Sequence, residues 1–427
     1  MAQKIQRPKG FNDVLPAEIG WWHRLEDAAR RVFGGYGYDE IRTPILENTE
    51  LFARAVGAAT DVVEKEMFTF NDREKRSLTL RPEGTAGVVR AYVENGLAQN
   101  EPSSRFWYAG PMFRHENVQA GRFRQFSQIG VEAFGARAPR VDAEVLIMVR
   151  DYLDAVGIRG VDLRVSSLGD AKCRPAYKQE LQTFLRGVAG ELCDDCKRRI
   201  ETNPLRVLDC KNERCRAATA KAPRMLERLC DECRAHWDEV TRTLKLAGVA
   251  FTVDPDIVRG LDYYVRTSFE LIHVGEGLGA QKAIGGGGRY DGLVRELGGP
   301  DVPGVGFGLG VERMVMVLDA QEKKSDRPKP KIVFLAPLGP AAADRAMALA
   351  RDLRAAGLRV EMDYDAKEKG LGNTLNKADR RAATIAVILG ADELARGIVK
   401  VKDLRSGAQV EHEIASLVGV VKGMLGD

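Results

Sequence analysis

Long apolar segments are missing from this sequence of 427 residues. No apolar run approaches the roughly 20 residues that a transmembrane helix needs. The polar segment 1–16 also lacks the apolar core of a signal peptide. Both absences argue against a membrane or secreted protein, so we expect a cytoplasmic one. The hydrophobic content of 44% and the charged content of 30% are typical of a globular protein with well-filled cores.

Several common catalytic signatures are missing as well. The sequence contains no GxxxxGK(S/T) phosphate loop, no HExxH motif, no GxSxG motif and no protein-kinase set. The zinc-protease, serine-hydrolase and kinase classes therefore lose support. A net charge of only +4 gives no overall positive field, but residues 171–245 hold 17 Lys and Arg against 12 Asp and Glu. This locally basic region suits contact with a phosphate backbone, with a solvated helical insert as the alternative.

Cysteine is scarce outside one region of the chain. Six of the seven Cys lie within residues 193–233, where Cys193-x-x-Cys196 and Cys230-x-x-Cys233 have the spacing of a zinc knuckle. A disulfide framework is not expected in a cytoplasmic protein of this size. We assign no metal site, because the chemistry indicated elsewhere in the chain does not need zinc, and reduced thiols in a helical insert are the alternative. Whether these four Cys bind zinc stays open.

A charged, proline-containing segment divides the chain near its C-terminal end. Residues 322–331 hold four Lys, one Arg and two Pro with no apolar residue, which is typical of a linker. Beyond it, alternating strand and helix patterns and a hairpin at Ser406-Gly407 predict a small α/β domain. We therefore expect a main domain at 1–325, a helical insertion at 171–245 within it and a C-terminal α/β domain at 331–427.

Polar residues alternate along a predicted strand that runs from Arg122 to Phe134. Because side chains alternate across a strand, one face would carry Arg122, Arg124, Phe126, Gln128, Gly130, Glu132 and Phe134. The opposite face would carry Phe123, Gln125, Ser127, Ile129, Val131 and Ala133, as for a layer packed on helices. Along the first face the cations come first, then a stacking ring, then hydrogen-bonding groups. This order suits a ligand with phosphates at one end, a purine in the middle and a small polar group at the other end. An ordinary exposed sheet surface is the alternative.

Glycine-rich segments punctuate the later part of the main domain. The run 285–288, followed by Arg289-Tyr290, predicts a turn with close backbone approach. The alternating glycines at 304–310 predict close backbone approach before a helix with Glu312 and Arg313 in its first turn. We also expect Thr85 to cap the helix that follows Pro82. Close strand–helix packing is the alternative to phosphate binding at the alternating glycines.

A compact polar cluster precedes a β-rich run at Arg259-Gly260-Leu261-Asp262-Tyr263-Tyr264. The Arg259 guanidinium matches the oxygens of a phosphate or carboxylate. The two phenols could hydrogen-bond a small polar ring. A strand entry with a surface Arg and interface tyrosines is the alternative.

Five blocks, in order along the chain, resemble one family. The strand after the first helix, 38–44, resembles motif 1 of class II aminoacyl-tRNA synthetases, Arg114-His115-Glu116 with 128–132 resembles motif 2, and 306–313 resembles motif 3. The clusters 259–264 and 287–292 resemble the two histidine-specific motifs of histidyl-tRNA synthetases. The class I signatures HIGH and KMSKS are absent. The resemblance implies an α+β fold, with a six- to seven-stranded antiparallel sheet flanked by helices, a helical insertion and a C-terminal α/β anticodon-binding domain.

The resemblance also implies the reaction and its partners. L-Histidine and ATP would give histidyl-adenylate and pyrophosphate, with Mg²⁺ on the phosphates, and the histidine would then pass to the 3′ end of tRNA(His) on a homodimer. Arg114 would bind the α-phosphate, Arg122 and Arg313 would hold the outer phosphates, and Phe126 and Arg313 would sandwich the adenine. Arg259 would stabilise charge at the α-phosphate. Arg259 and Arg114 are therefore the implied catalytic pair.

For the amino acid, the resemblance implies a second set of residues. Those that would bind histidine are Glu83, Thr85, Gln128, Glu132, Arg259, Tyr263, Tyr264 and Tyr290, with Glu132 and Tyr264 at the two ring nitrogens. Gln119 would contact the tRNA acceptor end, and Asn117 departs from the Arg that many bacterial members carry there. The alternative function is a non-catalytic, synthetase-like regulatory subunit of histidine biosynthesis, which typically lacks the anticodon domain and erodes the ATP-binding arginines.

Overall fold

The computed structural model describes residues 4–57, 60, 62–101, 103–258, 261, 263–279, 282–322, 330–365 and 370–426. Contacts divide the chain into two compact units, Met1–Arg327 and Pro328–Asp427. Arg259 and most of the expected linker, 323–329, lie outside the described residues. The described helices include none that is long and apolar enough to span a bilayer.

The first unit contains twelve α-helices and eleven strands among its described residues. The helices are α1 (Ile19–Gly35), α2 (Thr49–Val56), α3 (Thr85–Glu94), α4 (Leu97–Asn100), α5 (Pro139–Val156), α6 (Arg174–Gly187), α7 (Asp194–Thr202), α8 (Leu205–Leu208), α9 (Glu213–Ala218), α10 (Asp231–Leu246), α11 (Leu293–Glu296) and α12 (Val311–Gln321). The strands are β1 (Asp39–Glu40), β2 (Leu46–Asn48), β3 (Phe68–Asn71), β4 (Ser77–Leu80), β5 (Arg105–Phe113), β6 (Gln125–Phe134), β7 (Val161–Ser167), β8 (Thr252–Val253), β9 (Val265–His273), β10 (Ala283–Arg289) and β11 (Gly304–Gly310).

The large sheet has the strand order β1-β5-β6-β11-β10-β9-β7-β8. Its six central strands are antiparallel throughout. The two-residue strands β1 and β8 pair in parallel at the two edges, so the sheet has eight described strands rather than six or seven. The α+β class with a helix-flanked sheet is therefore confirmed, with a mixed rather than wholly antiparallel sheet.

One face of this sheet packs against helices and forms the main core. Ile129 and Val131 of β6 are fully buried there with Phe307 of β11, as the alternation along β6 predicted. The core also takes residues of α1, α5, α10 and α12, among them Trp21, Leu25, Phe33, Leu146, Val149, Val240 and Met314. The opposite face of the central strands carries a second core, which includes Tyr92, Phe134 and Tyr290, and the polar side chains of β6 lie beside it.

The strand expected at 38–44 is wrong in extent. Only Asp39–Glu40 joins the large sheet, and Leu46–Asn48 belongs to a separate three-stranded sheet of order β2-β4-β3. Pro44, which cannot donate a ladder hydrogen bond, lies between the two short strands. β3 and β4 pair as an antiparallel hairpin.

The insertion builds a small core of its own. Helices α6 to α9 and the start of α10 surround Tyr177, Leu181, Leu185, Ile200 and Val207, and four fully or mostly buried Cys side chains lie in the same cluster.

The second unit is a five-stranded sheet of order β13-β12-β14-β15-β16 with four helices among its described residues. Its elements are β12 (Ile332–Pro337), α13 (Pro340–Ala355), β13 (Arg359–Met362), α14 (Leu371–Arg380), β14 (Ile385–Leu389), α15 (Ala391–Arg396), β15 (Ile398–Asp403), β16 (Gln409–Glu413) and α16 (Leu417–Leu425). β12 runs parallel to both β13 and β14. The βαβ pattern and the hairpin at Ser406-Gly407 are confirmed, whereas no pattern in the sequence predicted α15.

Candidate active site

Glycines form a groove along the middle of the ligand-facing surface of the sheet. Gly306, Gly308 and Gly310 of β11 pair with Glu132, Gly130 and Gln128 of β6. On the other side of β11, Gly286 and Gly288 of β10 pair with Gly308 and Gly306. Two adjacent central strands thus present bare backbone on this face, while β6 contributes polar side chains beside it.

The glycines are required by what lies against them. A Cβ on Gly306 would sit 2.1 Å from Oε2 of Glu132, and one on Gly130 would sit 2.4 Å from the Tyr108 ring. A Cβ on Gly287 would meet the carbonyl oxygen of Gly306 at 2.0 Å. Of the turn and close approach predicted at 285–288, the close approach is confirmed and the turn is wrong, because this run is a central strand in which glycine permits close packing.

The first cavity in the groove, of about 120 Å³, gathers three guanidinium groups. Arg114, Arg122 and Arg313 line it with Phe126 and Gln128. The Arg114 guanidinium lies 5.4 Å from the Phe126 ring centroid, and its Nε donates to the Pro82 carbonyl at 2.8 Å. The structure thus brings together the whole set of residues that the sequence suggested for ATP.

Arg122 and Arg124 do not lie in the strand where the sequence predicted them. β6 begins only at Gln125, so Arg122 and Arg124 precede it. Arg122 instead pairs by backbone hydrogen bonds with Gln119 across a turn in which Gly121 has a φ of +71°. This positive φ is a conformation that glycine adopts readily. The turn carries Arg122 over the cavity, and the side chain of Gln119 is exposed on it.

Two carboxyl groups, those of Glu116 and Glu312, lie near the three arginines of the first cavity and reduce its positive charge. Glu116 lies 3.1 Å from Nε of Arg122 and 3.8 Å from Nη1 of Arg114. Glu312 accepts hydrogen bonds from the Ser127 amide at 2.8 and 2.9 Å, and burial raises its pKa to about 7. Burial, together with the positive charges of Arg122 and Arg114, lowers the pKa of Arg313. An anionic ligand would relieve that repulsion.

Arg313 is held in place by main-chain carbonyls. Its Nε donates to Gly121 at 2.9 Å and its Nη1 to Ala283 at 2.6 Å. It is the third residue of α12, as the sequence predicted. The helix thereby fixes a guanidinium at the boundary of the first cavity and the next.

A second cavity of about 210 Å³ adjoins the first and shares Arg114, Gln128 and Arg313 with it. Its other polar lining residues include Glu83, Thr85, Tyr108, Tyr263, Tyr264 and Glu270. The rings of Tyr263 and Tyr264 lie 4.6 Å apart between centroids. Five of the residues suggested for histidine therefore line one space.

Glu132 and Tyr290, the other two described members of that set, lie beneath the cavity. Glu132 is fully buried, accepts a hydrogen bond of 2.7 Å from Oγ1 of Thr85, and accepts a second from the hydroxyl of Tyr290. Burial raises the pKa of Glu132 to about 8. The carboxyl is thus linked to the cavity through Thr85, and its raised pKa favours the protonated form at neutral pH.

The expected helix cap at Thr85 is wrong. Thr85 is the first residue of α3, and its backbone N–H donates to Oε2 of Glu83 at 2.8 Å. The N–H of Ala86 donates to Oε1 of the same side chain at 2.8 Å. Glu83 therefore caps the helix, which leaves the Thr85 hydroxyl for Glu132. Burial raises the pKa of Glu83.

Sequence reasoning missed Tyr108 and Glu270, which both line the second cavity. Tyr108 lies on β5 opposite Gly130, and a large ring facing a glycine in a neighbouring strand was the available signal. Glu270 lies on β9 opposite Gly286. Gln119 and Asn117 are exposed on the loop between β5 and β6, away from the buried groups.

Comparisons with known proteins agree with this arrangement. The family model described as histidyl-tRNA synthetase matches residues 10–314, and the one described as anticodon binding domain matches residues 332–424. A Histidine--tRNA ligase of Nitratidesulfovibrio vulgaris is 49% identical over 407 residues, which cover 95% of each chain. One of Anaeromyxobacter dehalogenans is 48% identical over 420 residues, 98% of this chain and all of the relative. The apo histidyl-tRNA synthetase of S. aureus superposes with a TM-score of 0.82 at 36% identity, covering 98% of this chain and 99% of that one.

Proposed function

The chain belongs to the histidyl-tRNA synthetase family, and we propose that its two adjoining cavities hold ATP and L-histidine side by side. The enzyme is an aminoacyl-tRNA ligase that activates histidine as histidyl-adenylate and then transfers it to tRNA. The main support for assigning ATP and histidine to these cavities is that both are lined by Arg114, Gln128 and Arg313. A carboxylate in the second cavity thereby comes close to a phosphate in the first.

The first step joins a histidine carboxylate oxygen to the α-phosphorus of ATP and releases pyrophosphate. Arg114, which lines both cavities, is placed to bind the α-phosphate, and Arg122 and Arg313 the outer phosphates. Fixed cations aimed at developing charge in a partly buried site supply the main stabilisation of such a transition state. Arg259 is proposed to act on the same phosphate on sequence grounds alone. In the second step the 3′ hydroxyl of tRNA attacks the histidyl carbonyl, and AMP leaves.

The second cavity supplies the groups that histidine requires. Glu83 and Thr85 are proposed to hold the amino and carboxylate region, with Gln128 beside them. The imidazole would lie against Tyr263 and Tyr264, with Glu132 and Tyr290 behind Thr85 completing its recognition. A site built from buried polar groups rejects a ring that cannot pair with them, because those groups would be left without partners.

The donor set around the phosphates also fits Mg²⁺. Glu116 and Glu312 line the first cavity, and carboxylate oxygens are the ligands that this hard cation prefers. When bound, Mg²⁺ would neutralise charge on the phosphate oxygens of ATP. Arg114 and Arg313 keep their positions through main-chain contacts of their own.

For tRNA(His), we propose residues 1–325 as the catalytic domain, 171–245 as the insertion that contacts the acceptor stem, and 331–427 as the anticodon-binding domain. The match of residues 332–424 to an anticodon-binding family supports the last assignment. The exposed side chain of Gln119 supports a contact with the acceptor end, and Asn117 lies exposed on the same loop. We propose that the enzyme acts in the cytoplasm, because its proposed substrate tRNA is used there in translation.

A homodimer is proposed from the three-stranded sheet. Leu46, Leu78 and Phe70 lie on one face of it by strand parity, and Leu46 and Phe70 are 38% and 48% exposed. Ile45 beside them is 43% exposed. An exposed apolar patch of this kind is typical of a protein interface. Light scattering should give a mass near twice 47.0 kDa, and a monomer at micromolar concentration would contradict the proposal.

The direct test is exchange of pyrophosphate into ATP with each of several amino acids. Histidine alone should support it, and Arg313→Gln should lower the histidine-dependent rate by about 100-fold or more. Arg137→Gln is the matched control, because that guanidinium is 61% exposed and pairs with Asp301 away from the cavities. Histidine binding without exchange would instead favour the regulatory subunit. That alternative is less supported, since the ATP-site arginines and the anticodon domain are both present.

A further inference from the structure

All seven cysteines of the chain fall into two clusters in the insertion. The four-cysteine cluster consists of Cys193, Cys196, Cys210 and Cys215, and the aspartate–cysteine cluster consists of Asp170, Cys173, Cys230 and Cys233. Within each cluster the four candidate ligand atoms all lie within 4.8 Å of one another. The two Cys-x-x-Cys pairs thus belong to different clusters, whereas their spacing in the sequence is that of a single zinc knuckle.

We propose that each cluster binds one structural zinc ion, so that the enzyme carries two. Tetrahedral zinc with Zn–S bonds of about 2.3 Å places two sulfur ligands about 3.8 Å apart. The Sγ atoms of Cys193 and Cys210 are 4.0 Å apart, and those of Cys173 and Cys233 are 3.9 Å apart. Both separations are nearly twice the S–S bond of about 2.05 Å in a disulfide.

The carboxylate of Asp170 completes the second set at fitting distances. Its Oδ1 lies 3.6 Å from Sγ of Cys173 and 3.9 Å from Sγ of Cys230. Three thiolates and one carboxylate give four protein ligands, the same number as in the four-cysteine cluster. Closed four-ligand sites are characteristic of structural rather than catalytic zinc.

Both clusters have the supporting contacts that orient metal ligands. The Cys193 amide donates to Sγ of Cys215 at 3.1 Å, and the Asp170 amide donates to Sγ of Cys173 at 3.3 Å. Nη2 of Arg266 holds the other carboxylate oxygen of Asp170 at 3.2 Å. Such outer contacts fix ligand direction and raise metal affinity.

The four-cysteine cluster joins helices that are too short to be stable alone. Cys193 is the N-cap of α7, and Cys196 lies in the first turn of this nine-residue helix. Cys215 lies in α9, which has six residues, and Cys210 follows the four-residue α8. Isolated helices of this length are unstable in water, so the binding energy of a metal would contribute directly to folding of the insertion.

The aspartate–cysteine cluster joins the insertion to the catalytic sheet. Asp170 follows β7, Cys173 caps α6, and Cys230 caps α10. Arg266, which binds Asp170, belongs to β9 and lies two residues after Tyr264 of the second cavity. This ion therefore fastens the base of the insertion next to the strand that enters the proposed histidine site.

Metal content of the purified full-length enzyme is the first test and does not depend on activity. Elemental analysis should give two zinc ions per chain. Replacement by cobalt should give the thiolate charge-transfer and ligand-field bands of tetrahedral Co²⁺ at two equivalents. Less than one ion per chain from zinc-supplemented cells, iron in place of zinc, or seven thiols that react rapidly in the native protein would overturn the proposal.

Substitutions separate the two sites. Cys196→Ser and Cys233→Ser should each lower zinc content by one ion, and Asp170→Asn should lower it at the second site. The matched controls are Asp195→Asn and Asp231→Asn, whose exposed side chains lie inside the two Cys-x-x-Cys loops but outside the clusters. Unchanged zinc content in all three ligand variants would refute the assignment. The cobalt spectrum of the unaltered enzyme remains decisive if a variant fails to fold.

Discussion

Replacing Glu132 by Gln should remove a large part of the pH dependence of folding stability. Glu132 is fully buried and its pKa is raised by burial to about 8. In the unfolded chain a Glu side chain titrates at about 4.3. The buried carboxyl is therefore neutral at pH 7, and Gln has nearly the same shape and the same absence of charge.

The sign follows from the raised pKa. Below about pH 4 the carboxyl is protonated in both states, so its contribution to stability is fully present. Between about pH 4.5 and 8 the unfolded state loses the proton while the folded state keeps it, which costs about 1.4 kcal/mol per pH unit. From pH 5 to pH 8 the free energy of unfolding of the native enzyme should thus fall by about 4 kcal/mol relative to that of the Glu132→Gln variant. Above pH 8 the difference should become constant.

Tryptophan fluorescence during urea unfolding measures this effect in one unit alone. All four tryptophans, Trp21, Trp22, Trp107 and Trp237, lie in the first unit. Both proteins contain the other buried carboxyls, such as Glu312. The contributions of these groups to stability therefore cancel when the two pH profiles are subtracted. Glu94→Gln is the matched control, because that side chain is 66% exposed on α3. Parallel profiles for the native enzyme and Glu132→Gln would show that the Glu132 carboxyl is ionised at neutral pH and refute the reasoning.

Three further substitutions test separate contacts. Gly306→Ala would place a Cβ 2.1 Å from Oε2 of Glu132, so the unfolding free energy in urea should fall by about 1–3 kcal/mol; an unchanged midpoint would contradict the tight fit. Asp142→Asn would leave the buried guanidinium of Arg289 without its main partner, and calorimetry should show a loss of about 3–5 kcal/mol, whereas a loss below about 1 kcal/mol would count against a buried pair. Tyr264→Phe should raise the KM for histidine more than the KM for ATP in pyrophosphate exchange, and equal changes would remove Tyr264 from ring recognition.

Strand periodicity was sufficient to predict which side chains of β6 face the cavities. Phe126 and Gln128 line the cavities and Ile129 lies in the core, because alternation depends only on the local backbone. The start of α12 also followed from a local pattern, the alternating glycines that precede it. The strand's starting point was wrong, since it depends on the turn at Gly121 and its pairing between Gln119 and Arg122.

The glycine run at 285–288 shows what local patterns cannot resolve. Glycine permits both a turn and close approach of neighbouring backbones, and only the positions of Gly306 and Phe307 on the adjacent strand decide between them. The cysteines present the same difficulty. Spacing identifies Cys-x-x-Cys pairs, but their partners come from distant segments, including Asp170, which no cysteine motif predicts.

The glycine groove explains how one surface can hold both a buried acid and a ligand. Because Gly306 has no side chain, Glu132 can lie fully buried beside β11, where it accepts from Thr85 and Tyr290. Each of its oxygens therefore already accepts a hydrogen bond, and Thr85 connects it to the cavity. A bound imidazole must join this network through donors and acceptors at its edge, since a purely apolar ring would leave polar groups desolvated without new partners. Discrimination for histidine would then depend on the protonation of the whole network rather than on one contact, and the pH profile of Glu132→Gln probes that property directly.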